Sequence, residues 1–309
     1  MTAPERPAQF TADDVRAVPP ERIVAAIRQA AADPATLERS APRSAFPAPG
    51  GELLLMPATD DQLTGVKIAT IAPDNRSLGL PRVQGVYVLF DATTLTPVAV
   101  LDAVELTAVR TAGVSMVGID ALDGATGRTA IVGTSVQARS HLRLLAELGW
   151  SREFTIHGRR ADAVAELVGY ASGLGVDVRA GTPDDLGRAG LVVCCTSAST
   201  PVVGALADDV LAVAVGSHTA TAAELPAELF RGAQVVVESQ GALATEAGDV
   251  IQAIAAGALT ADEVVELGAV LRGDVQADPR RRRIFKTVGM AWQDLAVATA
   301  VFRHGVANA

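Results

Sequence analysis

The chain of 309 residues is long enough for one large or two ordinary domains, and its composition, 49% hydrophobic and 20% charged, is that of a globular protein. Its formal net charge of -9 argues against an intrinsic affinity for nucleic acid or an anionic membrane, and no apolar run reaches membrane-spanning length. The N-terminus lacks the basic start and apolar block of a signal peptide, and the adjacent Cys194 and Cys195 suit neither an ordinary disulfide nor a metal site, so we expect a cytoplasmic enzyme without a metal.

The first hundred residues predict an N-terminal helix followed by a small mixed or antiparallel sheet. Residues 1–10 are expected to form a disordered tail, and apolar residues such as Ile23 and Ile27 favour a helix around Pro19 and Pro20. After a loop rich in Pro, Ser and Ala, alternating apolar residues predict strands at Leu53–Pro57, Gly65–Ile71, Val83–Phe90 and Pro97–Asp102.

From Asp102 the apolar period becomes helical, and this helix runs to about Leu122. Strands and helices then alternate in a way that indicates a doubly wound parallel sheet of the Rossmann type. The predicted strands are Thr129–Gly133, Glu153–His157, Val176–Ala180, Leu191–Thr196, Val210–Val215 and Gln234–Glu238. The predicted helices are Val136–Leu148, Asp162–Leu174, Ala223–Phe230 and a last one, Arg283–Phe302.

The sequence therefore predicts an α/β protein of two domains. Gly124–Gly127 is the natural boundary, because it separates the mixed sheet from the alternating strands and helices. We place a smaller α+β domain at residues 1–124, to which residues 286–309 return, and the Rossmann-type domain at residues 125–285.

The turn after the first Rossmann strand is a candidate nucleotide-binding loop. The dinucleotide fingerprint G-x-G-x-x-G/A finds Gly133 at its first position and Ala138 at its last, but Ser135 stands where the second glycine lets the backbone approach a phosphate. Its hydroxyl either donates to a phosphate oxygen or obstructs it. The pattern favours pyrophosphate binding at the helix N-terminus, and an ordinary turn that binds nothing is the alternative.

The residues at the end of the second Rossmann strand indicate whether the cofactor is NAD or NADP. NAD enzymes place an acidic residue there for the ribose hydroxyls, whereas this chain reads His157-Gly158-Arg159-Arg160, with no acid before Asp162. Two guanidinium groups suit the 2′-phosphate of NADP, because they form charge-assisted, bidentate hydrogen bonds. We favour NADP as the cofactor, with NAD as the alternative. If the two arginines have no function, they are a solvated pair at the start of a helix.

The first domain carries three conspicuous cations, Arg43, Lys67 and Arg110, each among apolar or small residues. A cation on a packed element needs an anionic partner, so the three together suit the carboxylate of a substrate. The spacing of the three residues, taken alone, favours three separate surface cations over one shared carboxylate site.

Several longer runs are together similar to the ornithine cyclodeaminase/mu-crystallin family. They include G-V-K-I-A-T-I-A-P-D-N, L-D-A-V-E-L-T-A-V-R-T-A-G-V-S, G-T-S-V-Q-A-R, V-G-S-H-T, E-L-P-A-E-L and I-F-K-T-V-G-M-A-W-Q-D-L-A, in the family's order across most of residues 43–300. The resemblance implies a Rossmann domain that binds NAD(P) and a second domain that binds the substrate and forms a homodimer. The family includes ornithine cyclodeaminases, alanine dehydrogenases, ketimine reductases and opine-type synthases.

The resemblance also implies roles for individual residues. The cations that bind the amino-acid carboxylate match Arg43, Lys67 and Arg110, and Lys67 also polarises or protonates the reacting nitrogen. The residues matching the cofactor site are Gly133, Ser135, Val136, Gln137 and Ala138 at the pyrophosphate, Arg159 at the adenosine phosphate, Thr196 and Ser197 along the ribose, Gly216, Ser217 and His218 near the nicotinamide, and Lys286 and Gly289 in the motif that closes over it.

Two departures from the family pattern concern carboxylates. Ornithine cyclodeaminases carry an aspartate just after the fifth strand, where this chain reads Gly216-Ser217-His218-Thr219-Ala220, and a glutamate where it has Leu54. Without them little remains to hold a δ-ammonium, so cyclodeaminase activity on ornithine is not expected.

Other titratable residues have less certain roles. His218 is a candidate for proton transfer near neutral pH, with a structural hydrogen bond as an equal alternative. His141 and His304 are expected to be structural or solvated, and the two cysteines to pack in the core. Asp294 either pairs with a cation of the first domain or caps or faces solvent.

The leading hypothesis is an NADP-dependent oxidoreductase that interconverts an α-imino acid, or an α-keto acid and an amine, with an amino acid. Arg43 and Arg110 would anchor the carboxylate, and Lys67, aided by His218, would supply the proton. The alternatives are a cyclodeaminase with tightly held NAD and a mu-crystallin-like protein that binds NADPH and a small acid without turnover. A small-molecule substrate and a homodimer are the expected partners.

Overall fold

Two compact units make up the computed structural model, which describes residues 6–124 and 127–308. One unit contains the chain up to Arg110 and from Gly289 onward, and the other is Thr111–Val288. The domain limits proposed from the sequence are 1–124 with 286–309 and 125–285. They place the first boundary after the helix Ala103–Ala121, whereas the two units divide within this helix, after Arg110. The proposed limits stay a prediction. Residues 1–5 of the expected tail and Ala125 and Thr126 of the expected boundary lie outside the described residues.

The first unit is built on a six-stranded sheet. Its strands are β1 (Ala8–Phe10), β2 (Ser44–Ala48), β3 (Gly51–Thr59), β4 (Leu63–Ile71), β5 (Val83–Asp91) and β6 (Pro97–Asp102). They lie in the order β1-β6-β5-β4-β3-β2; β1 and β6 are parallel and the other neighbours antiparallel. The four strands predicted here are thus present, each extended by no more than a few residues.

The first unit also contains α-helices. They are α1 (Ala12–Arg16), α2 (Pro20–Ala32), α3 (Ala35–Glu38), the start of α4 (Ala103–Ala121) and the last helix, α10 (Ala291–Asn308). The last helix packs on α2 and across β3, β4 and β5. Because strand side chains alternate between faces, Leu63, Lys67 and Ala69 of β4 are buried on the α10 side.

The expectation of a disordered tail through residue 10 is wrong for its last residues. Ala8–Phe10 forms β1, whose backbone pairs in parallel with residues 99–101 of β6. The Phe10 ring also meets Phe302 of α10 edge-on, with centroids 6.3 Å apart. A three-residue edge strand leaves no periodic signal in a sequence, which is why the tail looked structureless.

The second unit is a Rossmann-type α/β layer structure. Its eight parallel strands are β7 (Arg128–Val132), β8 (Glu153–His157), β9 (Asp177–Ala180), β10 (Leu191–Cys194), β11 (Leu211–Ala214), β12 (Gln234–Val237), β13 (Val264–Glu266) and β14 (Arg283–Lys286). Its further helices are α5 (Val136–Glu147), α6 (Ala161–Ser172), α7 (Pro183–Leu186), α8 (Gly248–Ala255) and α9 (Leu267–Leu271). The four residues of each of β10, β11 and β12 are all buried, as in a parallel sheet covered on both faces.

The strand order identifies the ligand-binding edge of this unit. It runs β13-β12-β14-β11-β10-β7-β8-β9, which from β9 to β11 is the 3-2-1-4-5 order of dinucleotide-binding folds. The order reverses between β7 and β10, and ligands of such sheets bind at the carboxyl ends of the strands at this switch point. The predicted fold class, a Rossmann-type sheet with a smaller α+β unit, is confirmed.

Two predicted helices are wrong. In place of a helix at 223–230, the chain bends at Glu224 and Leu225, whose amides donate to the Asp249 carboxylate at 2.6 and 2.9 Å. Only a 3₁₀ turn, Ala227–Phe230, follows. In place of one helix at 283–302, the fully buried β14 is inserted between β11 and β12, and α10 starts later. Within the described residues, no helix combines the length and apolar character needed to cross a bilayer.

Candidate active site

Two of the predicted cations share one buried carboxylate in the first unit. Lys67, in the middle of β4, donates from Nζ to both carboxylate oxygens of Asp294 on α10, at 3.0 and 2.8 Å. Arg110, on α4, places Nε 3.3 Å from the same Oδ1 and donates from Nη1 to Gln293 Oε1 at 2.9 Å. All four side chains are buried. Asp294 therefore pairs with cations, and the alternative of a cap or surface role is wrong.

The third cation, Arg43, joins this cluster through the backbone before α10. It is half-buried and donates from Nη2 to the carbonyl oxygen of Gly289 at 2.9 Å. Gly289 adopts φ +84°, a left-handed conformation that favours glycine, and a Cβ there would stand 2.4 Å from Arg110 Nη1. The glycine thus leaves room for one guanidinium group while its carbonyl binds another. The structure brings the three predicted cations together, and their roles stay a prediction.

Burial gives Lys67 an unusual acidity. Removal of the ammonium from water lowers its pKa from the ordinary 10.5 to about 8; Asp294 opposes this shift, and the positive charges of Arg110 and Arg43 add to it. Lys67 is therefore protonated at neutral pH and able to release its proton near pH 8. The sequence contains a single other lysine, Lys286, among its 26 basic residues.

The sheet face around Lys67 is otherwise apolar. Met56 on β3 and Tyr87 on β5 lie directly opposite Lys67, and Leu54 lies on the same face of β3, two residues from Met56. Tyr87 is fully buried against Gly65, where a Cβ would lie 2.1 Å from the phenol oxygen. Burial raises the pKa of Tyr87 well above 10, and its hydroxyl has no hydrogen-bond partner in the described part of the chain.

In the second unit, the predicted pyrophosphate loop joins β7 to α5. Gly133 adopts φ +120°, and a Cβ there would stand 2.5 Å from the carbonyl oxygen of Cys195, so glycine is required. Ser135 is the N-cap of α5: its hydroxyl accepts from the Ala138 amide at 3.4 Å and donates to the Cys195 carbonyl at 3.0 Å. Ser135 and Val136 are exposed, which leaves the positive end of the helix dipole open to an anion.

The two arginines after β8 differ in their surroundings. Arg160 forms an ion pair with Asp162, so part of its charge is already neutralised. Arg159 is exposed and, within residues 6–124 and 127–308, makes no hydrogen bond or ion pair. Of the two, Arg159 has the guanidinium group that is available to a ligand.

One buried carboxylate joins the turns that follow β10 and β11. Glu224 Oε1 accepts from the amide and hydroxyl of Thr196, each at 2.7 Å. Its Oε2 accepts from the amides of Val215 and Gly216 at 3.1 and 2.5 Å. Burial raises the pKa of Glu224, but these four donors solvate its ionised form. Gly216 fits because a Cβ there would lie 2.0 Å from the Thr196 carbonyl oxygen.

A second buried carboxylate continues this network to Lys286. Asp249 on α8 accepts from the Ser217 hydroxyl, and its Oδ2 lies 3.1 Å from Lys286 Nζ. Lys286 also donates to the carbonyl and hydroxyl oxygens of Ser217, at 2.6 and 2.9 Å. Lys286 is fully inaccessible, so within this unit it fixes the turn that holds Ser217; its predicted contact with a cofactor stays a prediction.

Glu224 and Asp249 are the residues that sequence reasoning missed. Glu224 stood inside a predicted helix and Asp249 in a segment without any assigned role, although both are buried acids. Glu224 could have been found from the run E-L-P-A-E-L, which contains it and is one of the runs similar to the family. The predicted Ser197 and His218 lie exposed in the same two turns, and Gln137 is partly buried in the first turn of α5.

His141 and the two cysteines lie in the core. His141 is fully buried, with Nδ1 2.7 Å from the Gln137 carbonyl oxygen and Nε2 2.8 Å from Ser115 Oγ, and burial lowers its pKa to about 4. Cys194 and Cys195 are buried, which raises the pKa of both thiols well above their ordinary value. His304 lies 3.3 Å from Arg22 Nη1.

The second unit fits a dinucleotide. There is no room for a Cβ at Gly133, Ser135 and Val136 at the start of α5 are exposed, and Arg159 offers a free cation at the end of β8. The first unit, by contrast, fits a small carboxylate, because its two guanidinium groups and its ammonium group surround Asp294 and Gly289.

Comparison with known proteins gives consistent matches over nearly the whole chain. Residues 21–308 match the model of the ornithine cyclodeaminase/mu-crystallin family. The chain is 34% identical over 250 residues to Delta(1)-pyrroline-2-carboxylate reductase 2 of Burkholderia ambifaria, covering 80% of this chain and 78% of that protein. It is 33% identical over 302 residues to Delta(1)-pyrroline-2-carboxylate reductase 1 of Burkholderia multivorans, covering 96% and 95%. The iminosuccinate reductase of Paracoccus denitrificans in complex with NAD+ superposes with a TM-score of 0.87 at 25% identity, covering 98% and 97%.

Proposed function

The chain belongs to the ornithine cyclodeaminase/mu-crystallin family, and we propose from that premise that it reduces a small cyclic α-imino acid with NADPH. The expected substrates are of the Δ1-pyrroline-2-carboxylate class, which the two Burkholderia relatives are named for. The observation that carries the proposal is the buried Lys67 ammonium group, held on Asp294 beside Arg110 and Arg43.

Each cation has a distinct part in this reaction. Arg43 and Arg110 bind the substrate carboxylate, because a guanidinium group pairs with a carboxylate through two parallel hydrogen bonds. Lys67 then donates a proton to the imine nitrogen and becomes a neutral amine, which solvent reprotonates. When bound, the reduced nicotinamide supplies the hydride, two electrons and a proton, that adds to the imine carbon. The C=N double bond becomes a C–N single bond, with one hydrogen added at each atom.

The apolar surroundings of Lys67 support an imino acid without a charged side chain. Leu54 and Met56 lie on its sheet face, so the δ-ammonium of ornithine would lose its water there without gaining a carboxylate. Cyclodeaminase activity is therefore the weaker candidate. It predicts release of ammonia from ornithine without net oxidation of added cofactor.

The preference for NADPH over NADH follows from Arg159. An unneutralised guanidinium group at the end of β8 matches the 2′-phosphate of NADPH, and the nearest acid, Asp162, is occupied by Arg160. An Arg159→Ala variant should weaken NADPH binding about tenfold and leave NADH binding within about twofold, since only NADPH carries the phosphate. Equal losses for both cofactors would contradict this role.

The test of the proposed function is a direct assay. The purified protein is mixed with Δ1-pyrroline-2-carboxylate and NADPH, and loss of the absorbance of the reduced nicotinamide is followed together with formation of proline. Lys67→Ala should reduce turnover at least about a hundredfold, the usual contribution of a general acid, without changing NADPH affinity. Binding of NADPH without turnover of any cyclic imino acid would instead favour the mu-crystallin-like alternative.

A homodimer is the proposed assembly. The sheet face opposite Lys67 is apolar, with Val66 and Ile68 on β4 aligned with Val88 and Val86 on β5, and Val86 is 43% exposed. A second copy of the chain covering this face would bury it. Sedimentation at micromolar concentration should give the dimer mass, and Val86→Lys should shift the protein toward the monomer.

A further inference from the structure

Asp294 occupies the centre of the cation cluster without being able to reach solvent. It is fully buried in α10, and both of its oxygens are used: Nζ of Lys67 lies 3.0 Å from Oδ1 and 2.8 Å from Oδ2, and Nε of Arg110 lies 3.3 Å from Oδ1. Such a carboxylate is costly to bury unless it is paired, so its position is fixed by the two cations that it binds.

The same geometry fixes the cations. Lys67 extends from a strand and Arg110 from a helix, and long side chains of this kind have many rotamers unless a partner selects one. One carboxylate that accepts hydrogen bonds from Lys67 and forms an ion pair with Arg110 holds the ammonium and the guanidinium groups side by side. The distance between the carboxylate-binding group and the proton-donating group is thereby set before any substrate arrives.

We propose that Asp294 is the positioning residue of this site, which orients Lys67 toward the substrate nitrogen and holds it in the charged form that donates the proton. The inference rests on the proposed function, because it assigns a task to the Lys67 proton. Asp294 itself transfers no proton.

The charges that face Lys67 come from each element packed around it. Asp294 on α10 is the negative group, Arg110 on α4 and Arg43 before β2 are the positive groups, and Tyr87 on β5 contributes a neutral phenol; β3 contributes Met56. The effect of Asp294 is therefore to raise the pKa of Lys67 against burial and two positive neighbours, which leaves it at about 8. Removal of the Asp294 charge must lower that pKa further.

The first experiment measures the wild-type protein. The chain has two lysines, so protein labelled at the lysine ε-carbon gives two NMR signals. We expect one of them to titrate with a midpoint near pH 8 and kcat/KM for imine reduction to fall with rising pH at the same midpoint. The signal is assigned to Lys67 by its loss in Lys67→Ala. A Lys67 signal that does not titrate between about pH 6 and 9 would overturn the proposal.

The second experiment compares two buried aspartates that each bind a lysine. In Asp294→Asn the midpoints of the Lys67 signal and of kcat/KM should both fall by at least one unit. A fall from about 8 to about 7 reduces the protonated fraction at pH 7.5 from about three quarters to about one quarter, a threefold loss that is regained on acidification. Asp249→Asn is the matched control, because Asp249 binds Lys286. It should move the Lys286 signal and leave both Lys67 midpoints unchanged.

The outcomes separate the positioning role from the proposed function. Wild-type protein that reduces no cyclic imino acid refutes the function, whatever the NMR signals do. Wild-type turnover with an unshifted pH midpoint in Asp294→Asn refutes the role of Asp294 alone. If Asp294→Asn does not fold, disagreement between the Lys67 and kcat/KM midpoints of the wild-type protein still overturns the proposal, and agreement supports charged Lys67 as the proton donor.

Discussion

Replacement of Gly133 by alanine is the sharpest test of the pyrophosphate loop. The residue has φ +120°, and the new Cβ would lie 2.5 Å from the oxygen and 2.9 Å from the carbon of the Cys195 carbonyl. Both atoms belong to the backbone after β10 and have no rotamer by which to move away. Ordinary contact begins at about 3.4 Å, so the loop must shift by about 0.9 Å or adopt another conformation.

The magnitude follows from two effects. A non-glycine residue held at such a φ costs about 1–3 kcal/mol, and the shift also breaks the Ser135–Cys195 hydrogen bond, which contributes about 1 kcal/mol. We therefore expect Gly133→Ala to lower the free energy of unfolding by about 2–4 kcal/mol. The amides of Ser135 and Val136 move with the loop, so NADPH should bind at least about tenfold more weakly, a change of about 1.4 kcal/mol.

The assays are thermal unfolding and a fluorescence titration with NADPH. Gly149→Ala is the control: Gly149 also has a positive φ, +68°, but nothing lies within 4 Å of its added Cβ. The control should lose about 1 kcal/mol of stability and keep its NADPH affinity. An NADPH affinity of Gly133→Ala within twofold of wild type, or equal weakening in the control, would refute the reasoning.

Three further predictions concern other parts of the two sites. Ser135→Ala should destabilise the protein by about 1 kcal/mol through loss of the N-cap, and Ser135→Gly by a few tenths of a kcal/mol, as measured by calorimetry. Because the hydroxyl acts as a cap, the NADPH affinity of Ser135→Gly should be unchanged in a titration; weakened NADPH binding in both variants would show that the hydroxyl contacts a phosphate instead. Glu224→Gln should lower the free energy of unfolding in urea by about 1–3 kcal/mol. The two carboxylate oxygens accept from the Thr196 and Gly216 amides, and the glutamine side chain replaces one of these oxygens with a nitrogen that cannot accept. Wild-type stability would contradict this. The pH midpoint of kcat should lie above that of kcat/KM, since a bound substrate carboxylate raises the pKa of Lys67 above about 8; steady-state profiles that coincide would refute carboxylate binding beside Lys67.

Most strands of both sheets could be predicted from the sequence because their apolar patterns are local. Glu153–His157 and Pro97–Asp102 have the predicted bounds, and glycine turns mark the ends of others. The pattern failed where a strand carries charge: Arg283–Lys286 has a cation at each end, so it resembled part of an amphipathic helix. In the fold those cations are buried, Arg283 on the carbonyl oxygens of Leu122 and Asp123 and Lys286 on Ser217.

The candidate site divides in the same way. Gly133 was found through the dinucleotide fingerprint, and Arg43 was found as a cation among apolar or small residues whose role the family resemblance then supplied. The carboxylates that hold the site together were not, because pairing has no local signal: Lys67 and Asp294 are 227 positions apart, and Ser217 and Asp249 are 32 apart. Only tertiary structure shows which buried acid meets which cation.

The scarcity of lysine has a consequence for the chemistry of the whole surface. Lys67 and Lys286 are both buried and lie one in each unit, while arginine supplies the remaining basic residues. Acylating reagents and lysine acetyltransferases therefore meet no exposed lysine amine on the folded units. Lys286 is fully inaccessible, so it reacts only when the second unit opens. The rate of its acylation thus measures the opening of that unit, which makes a native residue an internal probe of local unfolding.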